Sequence, residues 1–393
     1  MHSAVVSKAG FGMSTRFYYQ AGFVIVVLGI LCGCGSSGTA VAPILGGGSA
    51  PSTAAPTARP SSAPSSAPSP APSASPRPSS APSAAPSGGT ITEFGGSLAE
   101  PAGITTGPDG NLWFTELGGG GNTTGKIGRI TTAGVITEFG GSLLAPVEIT
   151  TGPDGNLWFT EEALNGKIGR ITTAGVITEF GGSLLEPTGI TAGPDGNLWF
   201  TEDGVNSMGI AGSGKIGRIT TAGVITEFGG SLLEPTGITT GPDGNLWFTE
   251  LANPGSQSSS GLIGRITTGG VITQFGGSVL EAAVKITAGP DGNLWFTEQN
   301  PGISRITTGG VITEFSLPSS SLPFGITVGP DGNLWFADEG NSIAGTGKIG
   351  RITTAGAITE FGSLANPTGI TAGPDGNLWF TEFGNGKIGK IVP

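Results

Sequence analysis

The sequence predicts an all-β protein: a seven-bladed β-propeller of four-stranded blades behind a non-globular N-terminal segment. Three observations predict it. The octapeptide Gly107-Pro108-Asp109-Gly110-Asn111-Leu112-Trp113-Phe114 recurs letter for letter from Gly152, Gly193, Gly241, Gly289, Gly329 and Gly373. The seven copies lie 40 to 48 residues apart and hold all seven tryptophans, a period that marks a repeat array. Each unit divides into four short β-rich runs with Gly-containing turns and no helical periodicity. Finally, the ends are complementary. Thr90-Ile91-Thr92-Glu93-Phe94 is an isolated fourth strand, and Lys387-Ile388-Gly389-Lys390-Ile391 is a third strand lacking its fourth. The first piece therefore completes the last blade, which closes the ring and leaves no open sheet edge.

In chain order, residues 1–34 read as an export signal. Lys8 and Arg16 precede the apolar run Ala21 to Leu31, whose eleven residues are too few to span a bilayer. Leu31-Cys32-Gly33-Cys34 follows and resembles a bacterial lipobox, with Cys34 as the lipidated residue. Residues 35–88 are an Ala/Pro/Ser-rich tether. Proline this dense supports neither ladder nor helix, so a spacer of roughly 40 Å as a coil, or about 150 Å extended, is expected. Residues 89–393 form the propeller.

The second unit illustrates the blade. Ile149-Thr150-Thr151 is the first strand and Gly152-Pro153-Asp154-Gly155 a turn, with Asp able to bond back to the backbone. Asn156 to Thr160 is the second strand, with Leu157 and Phe159 on one face and Trp158 on the other. After a variable loop, Lys167 to Thr173 is the third strand, Ala174-Gly175 a tight turn, and Val176 to Phe180 the fourth. A two-residue turn puts Arg170 opposite Glu179. It likewise puts Arg129 opposite Glu138, Arg218 opposite Glu227, Arg265 opposite Gln274, Arg305 opposite Glu314, Arg351 opposite Glu360 and, at the seam, Lys390 opposite Glu93. These are expected to be structural cross-strand pairs.

Charge and missing residues narrow the chemistry. The propeller region holds all 28 acidic side chains against 13 basic ones, a net −15, which argues against nucleic acid and an anionic membrane surface. His2, Cys32, Cys34, Tyr18 and Tyr19 are the only residues of their types, and all precede the tether. The propeller therefore has no disulfide, thiolate nucleophile or imidazole base.

One face carries the repetitive turns; the other carries loops that differ between blades, running Leu117 to Gly125, Asp203 to Gly214, Leu251 to Gly261 and Gly340 to Gly347. Variable loops on a rigid scaffold are the expected place for function. The same face gathers carboxylates. Glu116, Glu161, Glu202, Asp338, Glu339 and Glu382 end second strands and are candidate ligands for Mg²⁺ or Ca²⁺. Glu100, Glu186, Glu234 and Glu281 precede first strands and are candidate ligand-binding residues. Glu148 and Lys285 break a glycine pattern beside the central channel and are candidate catalytic groups. Solvated rim carboxylates without a specific role are the alternative.

Gly-Pro-Asp-Gly-Asn-Leu-Trp-Phe-Thr-Glu, Lys-Ile-Gly-Arg-Ile-Thr-Thr and Ile-Thr-Glu-Phe, in this order, resemble the blade repeat of the virginiamycin B lyase (streptogramin lyase) family. The resemblance covers the whole repeat region. It implies a seven-bladed propeller and magnesium-dependent elimination that opens a cyclic depsipeptide. It also implies two histidines, each at the second position of a Pro-His-Gly-Ile-like start to an innermost strand. Here Pro323-Phe324-Gly325-Ile326 and Pro367-Thr368-Gly369-Ile370 stand at those places, so Phe324 and Thr368 occupy the histidine positions. A metal-binding Glu of the family corresponds to Asn366, and its last-blade carboxylate corresponds to Glu382. A more distant resemblance is to calcium-dependent lactonases.

The expectation is an exported, monomeric binding or scaffold module of the cell envelope or extracellular space. It would take a small molecule, peptide or protein at the variable-loop face and touch membrane only through a lipid anchor. A lyase-like enzyme using a carboxylate or Lys285 is the rival, and a lactonase-like hydrolase the next. The near identity of the blades points to recent internal duplication, which disfavours a finely asymmetric active site.

Overall fold

A computed structural model describes residues 89–118, 125–163, 165–204, 213–251, 261–276, 280, 282–299, 302–341 and 345–393. It also describes the backbone of Phe17–Gln20 and Phe23–Val26, which pair antiparallel. The expected lipidation site Cys34, the tether and Glu281 lie outside the described residues. No helix among the described residues is long and apolar enough to cross a membrane.

Seven four-stranded antiparallel sheets form the blades, six of them with their strands in sequence order from the channel outward. In the second blade these are Pro146–Thr151, Leu157–Glu161, Gly166–Ile171 and Ile177–Leu184. The seventh consists of Pro367–Ala372, Leu378–Glu382, Lys387–Ile391 and the N-terminal strand Ile91–Gly95, with Ile91 facing Ile391. The ring is thus closed by its two chain ends, as the complementary ends predict.

The core lies between blades. The Leu-Trp-Phe of each second strand is fully buried. Trp113 of the first blade packs in one cluster with Ile149, Leu157 and Phe159 of the second. Alternation explains this: Leu157 and Phe159 face one neighbouring blade, Trp158 the other.

The conserved turn serves the same packing. Asp109 Oδ1 accepts from Asn111 N (3.2 Å) and Trp113 Nε1 (3.0 Å), while Oδ2 accepts from Asn111 Nδ2 (2.8 Å). Burial opposes ionisation of Asp109, but the bonds from Trp113 and Asn111 outweigh it and hold the carboxyl below its ordinary range. Trp113 stacks on Phe139 at 5.4 Å, and Arg129 lies over both rings. Arg129 also donates to Thr173 O of the next blade (3.3 Å). The octapeptide is therefore a blade-to-blade fastener.

The expected cross-strand charge pairs are corrected by one residue. Glu179 faces Gly169, and Arg170 faces Thr178. The turn is not a two-residue loop. Gly175 N donates to Thr172 O, Thr172 N donates to Val176 O, and Gly175 has φ +88°. That is a type I turn followed by a left-handed glycine, which inserts a bulge and shifts the register. Glu179 consequently pairs with Lys167 (3.2 Å), and Arg170 approaches Asp154 (3.9 Å). Glu138 takes Lys126, Glu227 takes Lys215, and Glu360 takes Lys348; Arg129, Arg218, Arg265, Arg305 and Arg351 lie beside Asp109, Asp195, Asp243, Asp291 and Asp331. At the seam Glu93 binds Lys387, and Lys390 sits beside Asp375.

Candidate functional site

The second-strand carboxylates are not solvated. Glu116, Glu161, Glu202, Glu250 and Glu382 are buried beneath the segment leading into the first strand of their own blade. Glu116 Oε2 accepts from Ala99 N (2.7 Å), Glu161 from Leu144 N (2.7 Å) and Glu202 from Leu185 N (2.9 Å). The returning bond, Leu117 N to Glu100 O, fixes the same segment. Glu100, Glu186 and Glu234 each precede a proline at φ 48° to 58°, a left-handed conformation unfavourable to side chains with a Cβ. The two-sided anchoring holds that turn in place.

The second oxygen of these carboxyls needs a proton. Glu116, Glu161, Glu202 and Glu382 each leave Oε1 buried without an N–H or hydroxyl donor, against a fourth-strand carboxylate: Glu138, Glu179, Glu227 or Glu93. Burial first, then the partner carboxylate, pushes Glu161 up to about 7 and Glu202 to about 8. Below about pH 7 the inner carboxyl is therefore mostly protonated, with its proton facing the partner carboxylate. The fourth blade reaches the same end differently. Its partner is Gln274, whose Nε2 donates to Glu250 Oε1 (2.6 Å). An amide stands where those four blades need a shared proton.

This geometry does not gather the candidate metal ligands. Each carboxyl is committed to its own blade, and no three His, Cys, Asp or Glu among the described residues could hold a metal ion together. In the sixth blade Asp338 Oδ1 accepts from Leu322 N (2.7 Å) and Gly340 N (2.9 Å). The adjacent Glu339 is buried, and desolvation and then Asp338 push it up to about 8.

Glu148 and Lys285 do meet. The equivalent position is glycine in the other five blades because the innermost strands approach closely there; a Cβ on Gly369 would lie 2.3 Å from Ala102 O. The two residues come from the second and fifth blades, on opposite sides of the ring, and form an ion pair across it. Their side chains keep 25% and 15% of their exposure. Lys285 Nζ also lies 5.2 Å from the ring centroid of Phe324 in the sixth blade. The sequence marked all three residues, but their meeting depends on ring closure and was not visible in it.

The other histidine position is spent on packing. Thr368 is buried, and its hydroxyl pairs with Thr381 Oγ1 (2.9 Å). Thr188–Thr201 and Thr236–Thr249 repeat that pair in other blades. Glu382 Oε2 accepts from Ala365 N and Asn385 Nδ2, both at 3.1 Å. At the metal-binding Glu position Asn366 offers a neutral amide in place of a carboxylate, and Glu382 Oε2 is turned into its own blade, so this pair does not fit a magnesium ion as the resemblance implies.

A search of curated proteins returns no match. Among solved structures, a streptogramin B lyase is 35% identical, covering 77% of this chain and 97% of that one at a TM-score of 0.65. Virginiamycin B lyase from Staphylococcus aureus is 38% identical, covering 77% and 99%, at a TM-score of 0.64. Its catalytically inactive histidine-to-alanine variant, solved with quinupristin, is 37% identical with the same coverage. A gluconolactonase from Xanthomonas campestris is 14% identical at a TM-score of 0.50, a likeness of fold alone. The model of the Virginiamycin B lyase family matches residues 85–229 and 210–393, and with those identities it places this chain in the virginiamycin B lyase family.

Proposed function

We propose that this chain is an exported binding propeller that uses the family scaffold without lyase chemistry. One observation carries the reading: Phe324 and Thr368 stand at the two positions where the resemblance implies histidines. Residues 89–393 contain no histidine at all. Elimination needs a base near neutral pH. Thr368 offers a committed hydroxyl, Phe324 nothing titratable, and Lys285 is held by Glu148. The S. aureus relative supports separating the two activities, because its inactive histidine variant was solved with quinupristin.

In this reading the variable-loop face takes a peptide- or depsipeptide-sized ligand, and a lipid on Cys34 and the Pro-rich tether hold the domain at the cell envelope. Incubation with quinupristin and Mg²⁺ tests the chemistry. Ring opening by elimination yields an isomer, so it is followed by chromatographic shift and fragmentation rather than by mass alone. No ring opening is expected. Turnover above background that EDTA abolishes would establish a lyase instead. Palmitate labelling of wild type and Cys34→Ser tests the anchor; equal labelling of both refutes lipidation at Cys34.

A further inference from the structure

We propose that the sixth blade carries a separate binding pocket for a monosaccharide-sized polyol. The near identity of the blades provides an internal control. Where Glu116 and its equivalents fill the space under the lead-in segment, the sixth blade has Asp338, one methylene shorter. The threonine before it becomes Ala337, and Gly-Gly-Ser-Leu-Leu-Glu, as before Pro187, becomes Ser316-Leu317-Pro318-Ser319-Ser320-Ser321-Leu322, one residue longer. The backbone donor shifts to match. Asp338 accepts from Leu322, immediately before the proline, whereas Glu116 accepts from Ala99, two before it.

The result is a cavity of about 280 Å³ lined by Ser320, Ser321, Asp338, Thr346, Lys348 and Ser363, among others. That is far more room than one or two waters need, and near the small end of ligand pockets. The shortening at Asp338 also removes the carboxyl that meets the fourth strand elsewhere. Glu360 Oε1 is left buried without a partner, although Oε2 holds Lys348 (2.6 Å).

The lining selects the ligand class. Among the described residues no aromatic or aliphatic side chain lines the cavity, so an apolar molecule finds little to bury against. Asp338 and Lys348 offer opposite charges, which disfavours a simple anion or cation. Thr346 and Ser363 already donate to Asn341 Oδ1 and Gly345 O, so their oxygens offer acceptors only; the Ser320 and Ser321 hydroxyls donate and accept, and a carboxylate accepts from ligand hydroxyls. A neutral molecule with several hydroxyls around a compact frame satisfies this set. Asp338, 2% exposed, supplies the charged acceptor.

Saturation-transfer NMR and calorimetry of the full chain with glucose, galactose and N-acetylglucosamine test the proposal. Saturable binding of at least one sugar is expected. Asp338→Glu restores the residue of the other blades, so the fold has room for it; it should weaken binding at least about tenfold with an unchanged melting temperature. Ser320→Leu, at an exposed position of the lining, crowds the cavity and gives a second reading should Asp338→Glu fail to fold. Absence of saturation with every sugar overturns the proposal. So does equal affinity in the folded variants, or calcium binding in place of sugar. None of these outcomes depends on whether depsipeptides are bound or cleaved.

Discussion

The paired carboxyls should make the propeller lose stability as pH rises through neutrality, and glutamine should relieve the loss. Glu116 stands at about 7 in the folded chain against an ordinary 4.5, through burial and then its contact with Glu138. The folded state therefore binds more protons than the unfolded chain between those values. That stabilisation is complete below about pH 4.5 and is lost as pH climbs through 7. A shift of about 2.5 units corresponds to at most about 3 kcal/mol per carboxyl. Glu138 is held below its ordinary range, so its contribution has the opposite sign and fades only in acid.

Glu138→Gln, Glu179→Gln and Glu227→Gln together copy the arrangement of Gln274 and Glu250 into three more blades. Each removes one carboxylate from the pair and supplies an amide donor to the buried oxygen. Burial still raises the inner carboxyl, as it does Glu250, and the partners are partly exposed. Only part of the 3 kcal/mol should therefore be relieved, about 1 kcal/mol per blade between pH 5 and pH 8.5. The lost ion pairs with Lys126, Lys167 and Lys215 cost about 0–1 kcal/mol each at every pH in that range and leave the slope alone. Urea unfolding followed by the fluorescence of the buried tryptophans gives the profile. Wild type should weaken toward pH 8.5 and the triple variant distinctly less. Parallel profiles would refute shared-proton pairing.

Ser304 stands where six blades have glycine against a second-strand phenylalanine, and its hydroxyl is buried without a partner. Ser304→Ala should stabilise by about 1 kcal/mol in thermal melts. Lys285→Met or Glu148→Gln alone leaves a partly buried charge unpaired, so each should cost more than the double variant, with a coupling of about 1–3 kcal/mol in a double-mutant cycle. Removing residues 89–95 strips the seventh blade of its outer strand; the chain should lose cooperative unfolding, and adding that strand back as a peptide should restore it.

The fold was legible because its determinants are local and repeated. One octapeptide specifies a turn, a strand and a tryptophan with its acceptor, and seven copies count the blades. The register was harder. Thr-Ala-Gly reads equally as a two-residue turn or as a type I turn with a bulge, and only the backbone of Gly175 separates them. The site was less legible for a different reason. Whether Glu116 faces water depends on a backbone amide seventeen residues earlier folding over it. That is a non-local contact, which no spacing of acidic residues reveals. Glu148 and Lys285 are 137 residues apart and meet only because the ring closes.

That contrast suggests where such a chain stores its individuality. When several blades repeat a solution, the scaffold explains each residue they share: the rim glutamates of six blades and the hydroxyl pairs of three. Departures are different, because isolated drift would scatter them around the ring. Here they cluster. Glu148, Lys285 and Phe324 each break their own blade pattern, and Lys285 meets both of the others in the channel. Ala337, Asp338 and the serine-rich lead-in break theirs together around one cavity. Near identity of blades argued against a finely asymmetric site, but it also makes these two clusters stand out. The first puts an ion pair where the sister blades have glycine, and the second leaves space to be filled. Reverting one departure at a time to the residue of its sister blades, as Asp338→Glu does, separates what the chain needs to fold from what it has added.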